Sequence, residues 1–199
     1  MNIIIENLIA ALNRLPGLGR RTSERIAYML VQDKFGTAKF LIKALQKLNE
    51  DVSICSTCGL ITSEDNNPCE YICNNQKRDL SKLCIIESSE EFFKIELSKM
   101  YDGIYHVLNG KISPISGISI NDLRIKELFD RIYPSDIKEI IFCLGDDVES
   151  AATVSYLKEK IKPLGKLISC IDLSVLNGAP IEYLEAKTLG KAIVQRSEI

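Results

Sequence analysis

Four cysteines in a polar stretch constrain the fold of this 199-residue chain more than any other feature. Cys55 and Cys58 lie in the run CSTC, and Cys69 and Cys73 lie in CEYIC. The segment between the pairs, GLITSEDNNP, is too polar to bury a core, so it needs a link such as a metal to fold. Paired cysteines at this spacing are typical of a tetrahedral thiolate site. We predict one structural Zn²⁺ per chain, with four metal-free loop thiols as the alternative.

The composition indicates a globular protein, with 46% hydrophobic and 26% charged residues. No apolar run approaches the roughly 20 residues that span a bilayer. The opening MNIIIENLIAALNRL lacks the basic region and cleavage site of a signal peptide. We therefore expect the protein in the cytoplasm, where thiols stay reduced. The other cysteines, Cys84, Cys143 and Cys170, lie in strand-like runs and are expected to pack in the core.

The hydrophobic period changes twice along the chain. Residues 1–50 repeat apolar side chains at helical spacing, whereas residues 51–79 show little periodicity. From residue 83 onward, short β-branched runs alternate with helical stretches, the latter beginning near Ser88, Asn121 and Glu149. This alternation is typical of βαβ units in a parallel sheet. We predict four parts: a helical domain over residues 1–53, a zinc finger over 54–79, an α/β domain over 80–174 and a C-terminal segment over 175–199.

A glycine-rich break interrupts the helical pattern near the N-terminus. The run LPGLGRR places two glycines before a second helix, whose first turn leaves several N–H groups without helical partners. Arg20, Arg21 and Arg25 lie beside these groups, and such a helix start suits an anion. Residues 1–50 hold eight Lys/Arg and four Asp/Glu in a chain of net charge −2. The pattern indicates a small phosphate site, with solvated arginines at an ordinary helix corner as the alternative.

These parts follow the order and spacing of the RecR family of bacterial recombination mediators, which the chain resembles along essentially its whole length. LPGLGRRTSERIAYML resembles the helix-hairpin-helix of that family, and the cysteine pairs followed by KRD resemble its zinc finger. LCIIE and YHVLNGKISPISGI resemble its Toprim domain, and IEYLEAKTLGKAI resembles its C-terminal segment. The resemblance implies an α/β multidomain fold with a helix-hairpin-helix, a four-cysteine zinc finger, a Toprim-type parallel sheet flanked by helices, and a C-terminal helical segment.

The resemblance also implies a function. Members of the family are non-catalytic DNA clamps in recombinational repair. They act with RecO, and in some settings RecF, to load RecA onto single-stranded DNA coated by single-strand-binding protein. They form rings of four subunits to which the helix-hairpin-helix contributes. We therefore expect a ring-like homo-oligomer that binds DNA without sequence preference through Arg20, Arg21 and Arg25.

Two departures from the family pattern concern the sites. The second cysteine pair is spaced C-x3-C, one residue longer than in the family, which affects the loop at Cys73 but not the ligand set. The second Toprim motif reads GDDVES where the family has N-P-T-x-E-G. Glu149 keeps the family glutamate, while Asp146 and Asp147 replace a neutral pair. With Glu87, which follows the strand LCII, these acids would meet at the carboxyl edge of a parallel sheet.

The acidic cluster of Glu87, Asp146, Asp147 and Glu149 supports two hypotheses. Catalytic Toprim domains hold Mg²⁺ with such carboxylates, so an Mg²⁺-dependent enzyme acting on DNA phosphodiesters is the alternative function. That chemistry also needs a nucleophile or general acid, and the single histidine, His106, lies in a strand-like run where packing is expected. We predict that the protein is not an enzyme and that the cluster docks a basic partner. RecO is the candidate that the resemblance supplies.

Overall fold

The computed structural model describes residues 2–172 and 181–199. The chain divides into two compact units, Met1–Asp51 and Val52–Ile199, so the cysteine-rich and α/β segments belong to the same unit. The predicted boundary between residues 174 and 175 lies outside the described residues, and the division into four domains stays a prediction. In the two described ranges, no helix has the length and apolar character needed to cross a membrane.

The first unit is a helical hairpin followed by a third helix. Its helices are α1 (Ile3–Leu12), α2 (Arg20–Val31) and α3 (Thr37–Asp51). Asn2 begins α1, because its side-chain oxygen accepts the Ile4 N–H at 2.9 Å. α1 packs against α2, and Ile9 and Ala27 are buried on the two packed helices. Gly17, with a φ of 79°, lies in the turn that joins them. The predicted hairpin is therefore present.

The third helix exposes its apolar face. α3 is 15 residues long, and none of its side chains is buried. Leu41, Leu45 and Leu48 share one face at helical spacing and are 41%, 56% and 60% exposed. Ile3 and Ile4 on α1 are likewise exposed. The first unit therefore presents apolar surface of the kind that associating proteins bury.

The second unit begins with a small antiparallel sheet. β1 (Val52–Ile54) and β2 (Ile61–Ser63) pair so that Ile54 lies opposite Ile61. The turn between the strands carries the first cysteine pair, and the Cys55 N–H donates to the Leu60 carbonyl at 2.8 Å. A two-stranded hairpin of this size is marginal on its own, so it depends on what it is attached to.

The main sheet has the described strand order β4-β3-β5-β6-β7. Its strands are β3 (Asp79–Ile86), β4 (Gly103–Val107), β5 (Glu139–Cys143), β6 (Leu167–Cys170) and β7 (Ser197–Glu198). β3 pairs in parallel with β4 and β5, β5 pairs in parallel with β6, and β7 is antiparallel to β6. Every residue of β4 and β5 is buried, which explains why their sequences are nearly continuous apolar runs.

Helices connect the strands and pack beside the sheet. They are α4 (Ser89–Ser98), α5 (Ile125–Ile132), α6 (Val148–Ile161) and α7 (Ala186–Val194). At the start of α4, the Glu91 carboxylate accepts the Ser88 N–H at 3.2 Å, as the Ser-x-x-Glu pattern predicts. The α/β prediction of a parallel sheet flanked by helices, with a helix near the C-terminus, is confirmed.

The prediction that a helix begins at about Asn121 is wrong. Ile120–Asp122 form a single 3-10 turn, and the α-helix begins only at Ile125. The carboxylate of Asp122 accepts the N–H and the hydroxyl of Ser119 at 2.8 and 2.6 Å, so a local Ser-x-x-Asp contact closes one isolated turn. The next residue is extended, with φ −101° and ψ 155°, which separates this turn from α5.

Candidate functional sites

The four predicted metal ligands converge. The Sγ atoms of Cys55, Cys58, Cys69 and Cys73 all lie within 4.8 Å of one another, and the first three side chains are fully buried. The Sγ–Sγ distance is 3.4 Å for Cys58–Cys69, 3.8 Å for Cys55–Cys73 and 3.9 Å for Cys69–Cys73. Among the described residues, no other group of three or more His, Cys, Asp or Glu side chains is arranged to hold a metal ion.

The spacing of the sulfur atoms fits a tetrahedral metal and not a disulfide. A disulfide holds its sulfur atoms about 2.05 Å apart, whereas all four thiols here are free. Zinc binds thiolate sulfur at about 2.3 Å, which places the corners of a tetrahedron about 3.8 Å apart. The distances of 3.4 to 3.9 Å bracket this value. The cluster can hold a metal ion, and its four ligands leave no open position for a substrate.

A single helical turn from Cys69 to Cys73 accommodates the extra residue of the C-x3-C pair. The Cys73 N–H donates to the Cys69 carbonyl at 3.1 Å, which is the hydrogen bond of one α-turn. Residues four apart on such a turn project from the same face. Both thiols therefore reach the cluster, and the longer spacing keeps the ligand set together.

The clustered thiols change one another's pKa through their hydrogen bonds. The pKa of the Cys58 thiol is raised, chiefly by its hydrogen bond to Cys69, and the pKa of Cys69 is lowered by the same contact. Burial further raises the pKa of Cys58. Four thiolates without a cation repel one another, so a divalent ion is what allows all four to ionise together.

The first knuckle, residues 55–59, is clamped to the edge strand of the main sheet. The Val107 N–H at the end of β4 donates to the Cys58 carbonyl at 2.8 Å. Arg124 Nη2 donates to the Ser56 carbonyl at 2.6 Å. Gly59 has a φ of 80°, and a Cβ there would lie 2.7 Å from the Val107 oxygen and 2.9 Å from Arg124 Nε. Glycine therefore permits both the turn and its close approach to the sheet.

The predicted phosphate-binding arginines lie at the start of α2 in two different environments. Arg20 Nε is paired with Glu24 Oε1 at 3.1 Å. Arg21 and Arg25 are exposed one helical turn apart, and neither has an ion pair within the described part of the chain. Gly19 begins the helix without a side-chain acceptor for the N–H groups of the first turn. Among the three predicted arginines, Arg21 and Arg25 are thus the two whose guanidinium groups have no ion pair to a described residue.

Three of the four predicted acids surround one end of the main sheet. Glu87 follows β3, and Asp147 and Glu149 lie at the start of α6, shortly after β5. Because β3 and β5 are parallel neighbours, their carboxyl ends meet at this edge. Glu87, Asp147 and Glu149 line a cavity of about 440 Å³, which we call the acidic cavity. Asp146 is exposed and is not part of its lining.

A lysine that sequence reasoning did not select lies among these acids. Lys111 Nζ is 3.1 Å from Glu87 Oε2 and 2.9 Å from Asp147 Oδ2. Glu149 Oε1 accepts the Ser113 hydroxyl at 2.6 Å. The cavity is therefore not the purely acidic surface that the sequence predicts, because an internal cation and a hydroxyl hold its carboxylates.

Glu91 is a second residue of this cavity that the sequence predicts only as a helix cap. Its side chain lines the acidic cavity and is 5% exposed. Burial raises the pKa of Glu91 to about 7, although the backbone N–H groups of Ser88 and Glu87 stabilise its charged form. This carboxyl group therefore titrates near neutral pH.

The remaining candidate residues pack in the core, as predicted. His106 is fully buried in β4, and its Nε2 lies 2.8 Å from the Arg124 carbonyl oxygen. Burial lowers the pKa of His106 to about 3, which keeps the ring neutral. Cys84 and Cys143 are fully buried, and Cys170 is partly buried. These four residues are not part of the lining of the acidic cavity.

Comparisons with known proteins match both units. A model of the RecR helix-hairpin-helix matches residues 5–48, and a Toprim domain model matches residues 81–172. Recombination protein RecR of Chlorobium phaeobacteroides is 38% identical over 196 residues, which cover 97% of this chain and 96% of that protein. The RecR of Chloroherpeton thalassium is 36% identical over 199 residues, covering 98% and 97%. The RecR of Staphylococcus haemolyticus is 35% identical over 195 residues, covering 98% and 97%.

A helix-hairpin-helix unit, a buried four-cysteine cluster and a Toprim sheet in one chain define a class of multidomain recombination proteins. Within this class, the similarity covers nearly the full length of both this chain and its relatives. The chain belongs to the RecR family. The resemblance noted in the sequence is confirmed.

Proposed function

We propose that this chain is a non-catalytic DNA clamp in recombinational repair. It acts with RecO, and in some settings RecF, to load RecA onto single-stranded DNA coated by single-strand-binding protein. The observation that carries the proposal is the exposed Arg21–Arg25 pair at a glycine-capped helix start, in a chain similar to Recombination protein RecR over nearly its full length. Phosphate contacts of this kind position a protein on DNA without reading its bases.

The salt dependence of DNA binding tests this proposal. The double variant Arg21→Ala/Arg25→Ala removes two phosphate contacts per bound chain. The slope of log K against log[salt] should then flatten by about 1.8 per bound chain on duplex DNA and about 1.4 on single strands. Affinity should fall to a similar extent for unrelated DNA sequences, because no base contact is lost.

A matched control separates local contacts from general charge. Lys39→Ala/Lys43→Ala removes two exposed lysines at the same spacing on α3, so the unit loses the same net charge. This variant should keep most of the wild-type slope. If both double variants have the same slope, or if the arginine variant binds like wild type, the assignment of the contact to α2 is wrong.

The four-cysteine cluster holds one structural Zn²⁺ in this proposal. The support is the donor set of four free thiols, spaced as the corners of a zinc tetrahedron. Elemental analysis of protein purified without chelator should give one zinc per chain. Because such sites supply about 10–16 kcal/mol of binding free energy in isolated finger peptides, chelation should unfold at least residues 51–79. A folded chain without metal would refute this assignment.

The proposed clamp is a ring-like homo-oligomer, with four copies as in the RecR family. Its support on this chain is the exposed apolar surface of the first unit, formed by Ile3, Ile4 and the leucine face of α3. The sequence predicts that Leu8 and Leu12 lie on one apolar stripe with Ile3 and Ile4, but both leucines are half-buried within the unit. Multiple copies would also strengthen DNA binding, because each unit carries only a modest positive charge.

The rim of the acidic cavity is the proposed docking surface for RecO. Asp147 and Glu149 are held by Lys111 and Ser113, so replacing either would disturb the fold as well as the charge. Asp146 is exposed and has no contact of this kind among the described residues, which makes it the sharper probe. Rim charges mainly steer association, so Asp146→Lys should slow RecO binding and weaken its salt dependence.

The control for this experiment is Asp136→Lys. Asp136 is an exposed acid that precedes the amino end of β5, whereas the acidic cavity lies at the carboxyl end. Its replacement makes the same change in net charge. It should leave RecO association unchanged, and both variants should bind DNA like wild type. Equal association rates for the two variants would remove the docking role from this cavity.

A further inference from the structure

Lys111 bridges the ends of two neighbouring strands. Glu87 follows β3 and Asp147 follows β5, while Lys111 lies in the loop after β4, the other neighbour of β3. Its ammonium nitrogen is 3.1 Å from Glu87 Oε2 and 2.9 Å from Asp147 Oδ2. One positive charge therefore lies between the carboxylates at the position where a Toprim sheet is expected to hold a divalent cation.

The residues of this cavity do not fit Mg²⁺. That ion binds oxygen at about 2.0–2.1 Å and requires near-octahedral geometry. An ion in contact with the same two oxygens would occupy the space of the Lys111 ammonium group, and two cations in contact repel each other strongly at a partly buried site. The third acid is also engaged, because Glu149 Oε1 accepts the Ser113 hydroxyl at 2.6 Å.

Backbone contacts on both sides fix Lys111 in this position. The Asn109 N–H donates to the Glu87 carbonyl at 2.9 Å, and the Ile112 N–H donates to Thr153 Oγ1 at 3.0 Å. The Lys111 side chain is only 20% exposed. Burial alone would lower the pKa of Lys111, but the hydrogen bonds to the two carboxylates outweigh burial and raise it. The group is therefore a permanent cation near neutral pH.

We propose that Lys111 is a built-in cation that fills the divalent-metal position of this Toprim sheet. It offsets one of the two negative charges of Glu87 and Asp147 and pairs with both carboxylates, so the strand ends stay together without a metal ion. It also excludes Mg²⁺ and Mn²⁺ from the acidic cavity. This property is independent of DNA binding by α2 and of zinc in the cysteine cluster.

Titration with Mn²⁺ tests the proposal on the full chain as purified. Free Mn²⁺ is measured by electron paramagnetic resonance at constant ionic strength. Lys111→Met keeps a side chain of similar length and removes its charge. It should bind one Mn²⁺ at least about tenfold more tightly than wild type. The gain should be lost again in Lys111→Met/Asp147→Asn, which removes one of the freed carboxylates.

The control is Lys94→Met. Lys94 lines the same cavity and pairs with Glu90 at 2.9 Å. It should bind Mn²⁺ as weakly as wild type, and so should Lys111→Arg, which keeps the charge. Failure of Lys111→Met to gain Mn²⁺ binding would overturn the proposal. If Lys111→Met does not fold, wild type is compared with Asp147→Asn instead. Mn²⁺ binding by wild type that is lost in Asp147→Asn would overturn the proposal, whereas no such binding by wild type would support it.

Discussion

Replacing Gly59 by alanine tests whether the first knuckle and the main sheet unfold as one. Gly59 has a φ of 80°, and this left-handed conformation costs a residue with a Cβ about 1–2 kcal/mol. The new Cβ would also lie 2.7 Å from the Val107 oxygen and 2.9 Å from Arg124 Nε. Contacts this short force a shift of backbone or side chain, and such overpacking costs about 1–3 kcal/mol. The expected total loss of unfolding free energy is about 2–5 kcal/mol.

Gly117→Ala is the matched control, because it makes the same substitution at nearly the same backbone angle. Gly117 has a φ of 72°, and a Cβ there would have no neighbouring atom within 4 Å. Only the conformational cost of about 1–2 kcal/mol applies to this variant. The difference between the two variants therefore measures the contact between the knuckle and the sheet.

The assay is urea unfolding followed by far-ultraviolet circular dichroism, with zinc release monitored by a coloured chelator in the same samples. Gly59→Ala should lower the midpoint further than Gly117→Ala and should release zinc in the same transition as wild type. Equal midpoints for the two variants would refute the contact-based reasoning. Zinc release well before loss of the sheet in wild type would show that the knuckle is not clamped to it.

Three further predictions test other contacts. Arg124→Ala should speed zinc transfer to a chelator by about tenfold or more, because groups that orient metal ligands contribute about 10–100-fold to affinity. Lys126→Ala, at an exposed position two residues later on α5, should not change the rate, and equal rates for the two variants would contradict the role of Arg124. Because burial raises the pKa of Glu91 from 4.5 to about 7, the folded chain binds more protons than the unfolded chain between these values, and stability falls as pH rises through this window. Glu91→Gln should remove that fall and gain about 3 kcal/mol in urea unfolding at pH 8, whereas a profile parallel to wild type would exclude burial as the cause. Leu45→Asp/Leu48→Asp should reduce the mass in light scattering to that of smaller species, and an unchanged mass would exclude the α3 face from the subunit contact.

The cysteine cluster and the sheet are the parts that the sequence predicts well. Cysteine is a specific ligand, and two closely spaced pairs of cysteines limit the geometry to a compact cluster, so the convergence of Cys55 and Cys73 across the segment follows from residue type alone. Likewise, buried parallel strands require nearly continuous apolar runs, and EIIFC in β5 is such a run. In both cases the residues that form the sequence pattern are also the residues that make the tertiary contacts.

The electrostatics of the acidic cavity could not be predicted in the same way. Lys111 lies in a loop, and nothing in the run NGKISPISGI shows that its ammonium group reaches Asp147, 36 residues later in the chain. Arg124 contacts Ser56 across 68 residues, again without a local pattern. Long side chains of this type are usually solvated, so only the fold shows which of them are internal partners. Asp146 is the opposite case: it belongs to the sequence motif GDDVES, but it does not line the acidic cavity.

The most direct test of the proposed function is the rate at which RecA assembles on single-stranded DNA that is saturated with single-strand-binding protein. RecA-dependent ATP hydrolysis reports this assembly in the presence of RecO, with and without the chain. The chain should shorten the lag before hydrolysis, and Arg21→Ala/Arg25→Ala should lengthen it again while Lys39→Ala/Lys43→Ala does not. A lag that is the same with wild type, with either variant and with no added chain would contradict the proposed role in loading RecA.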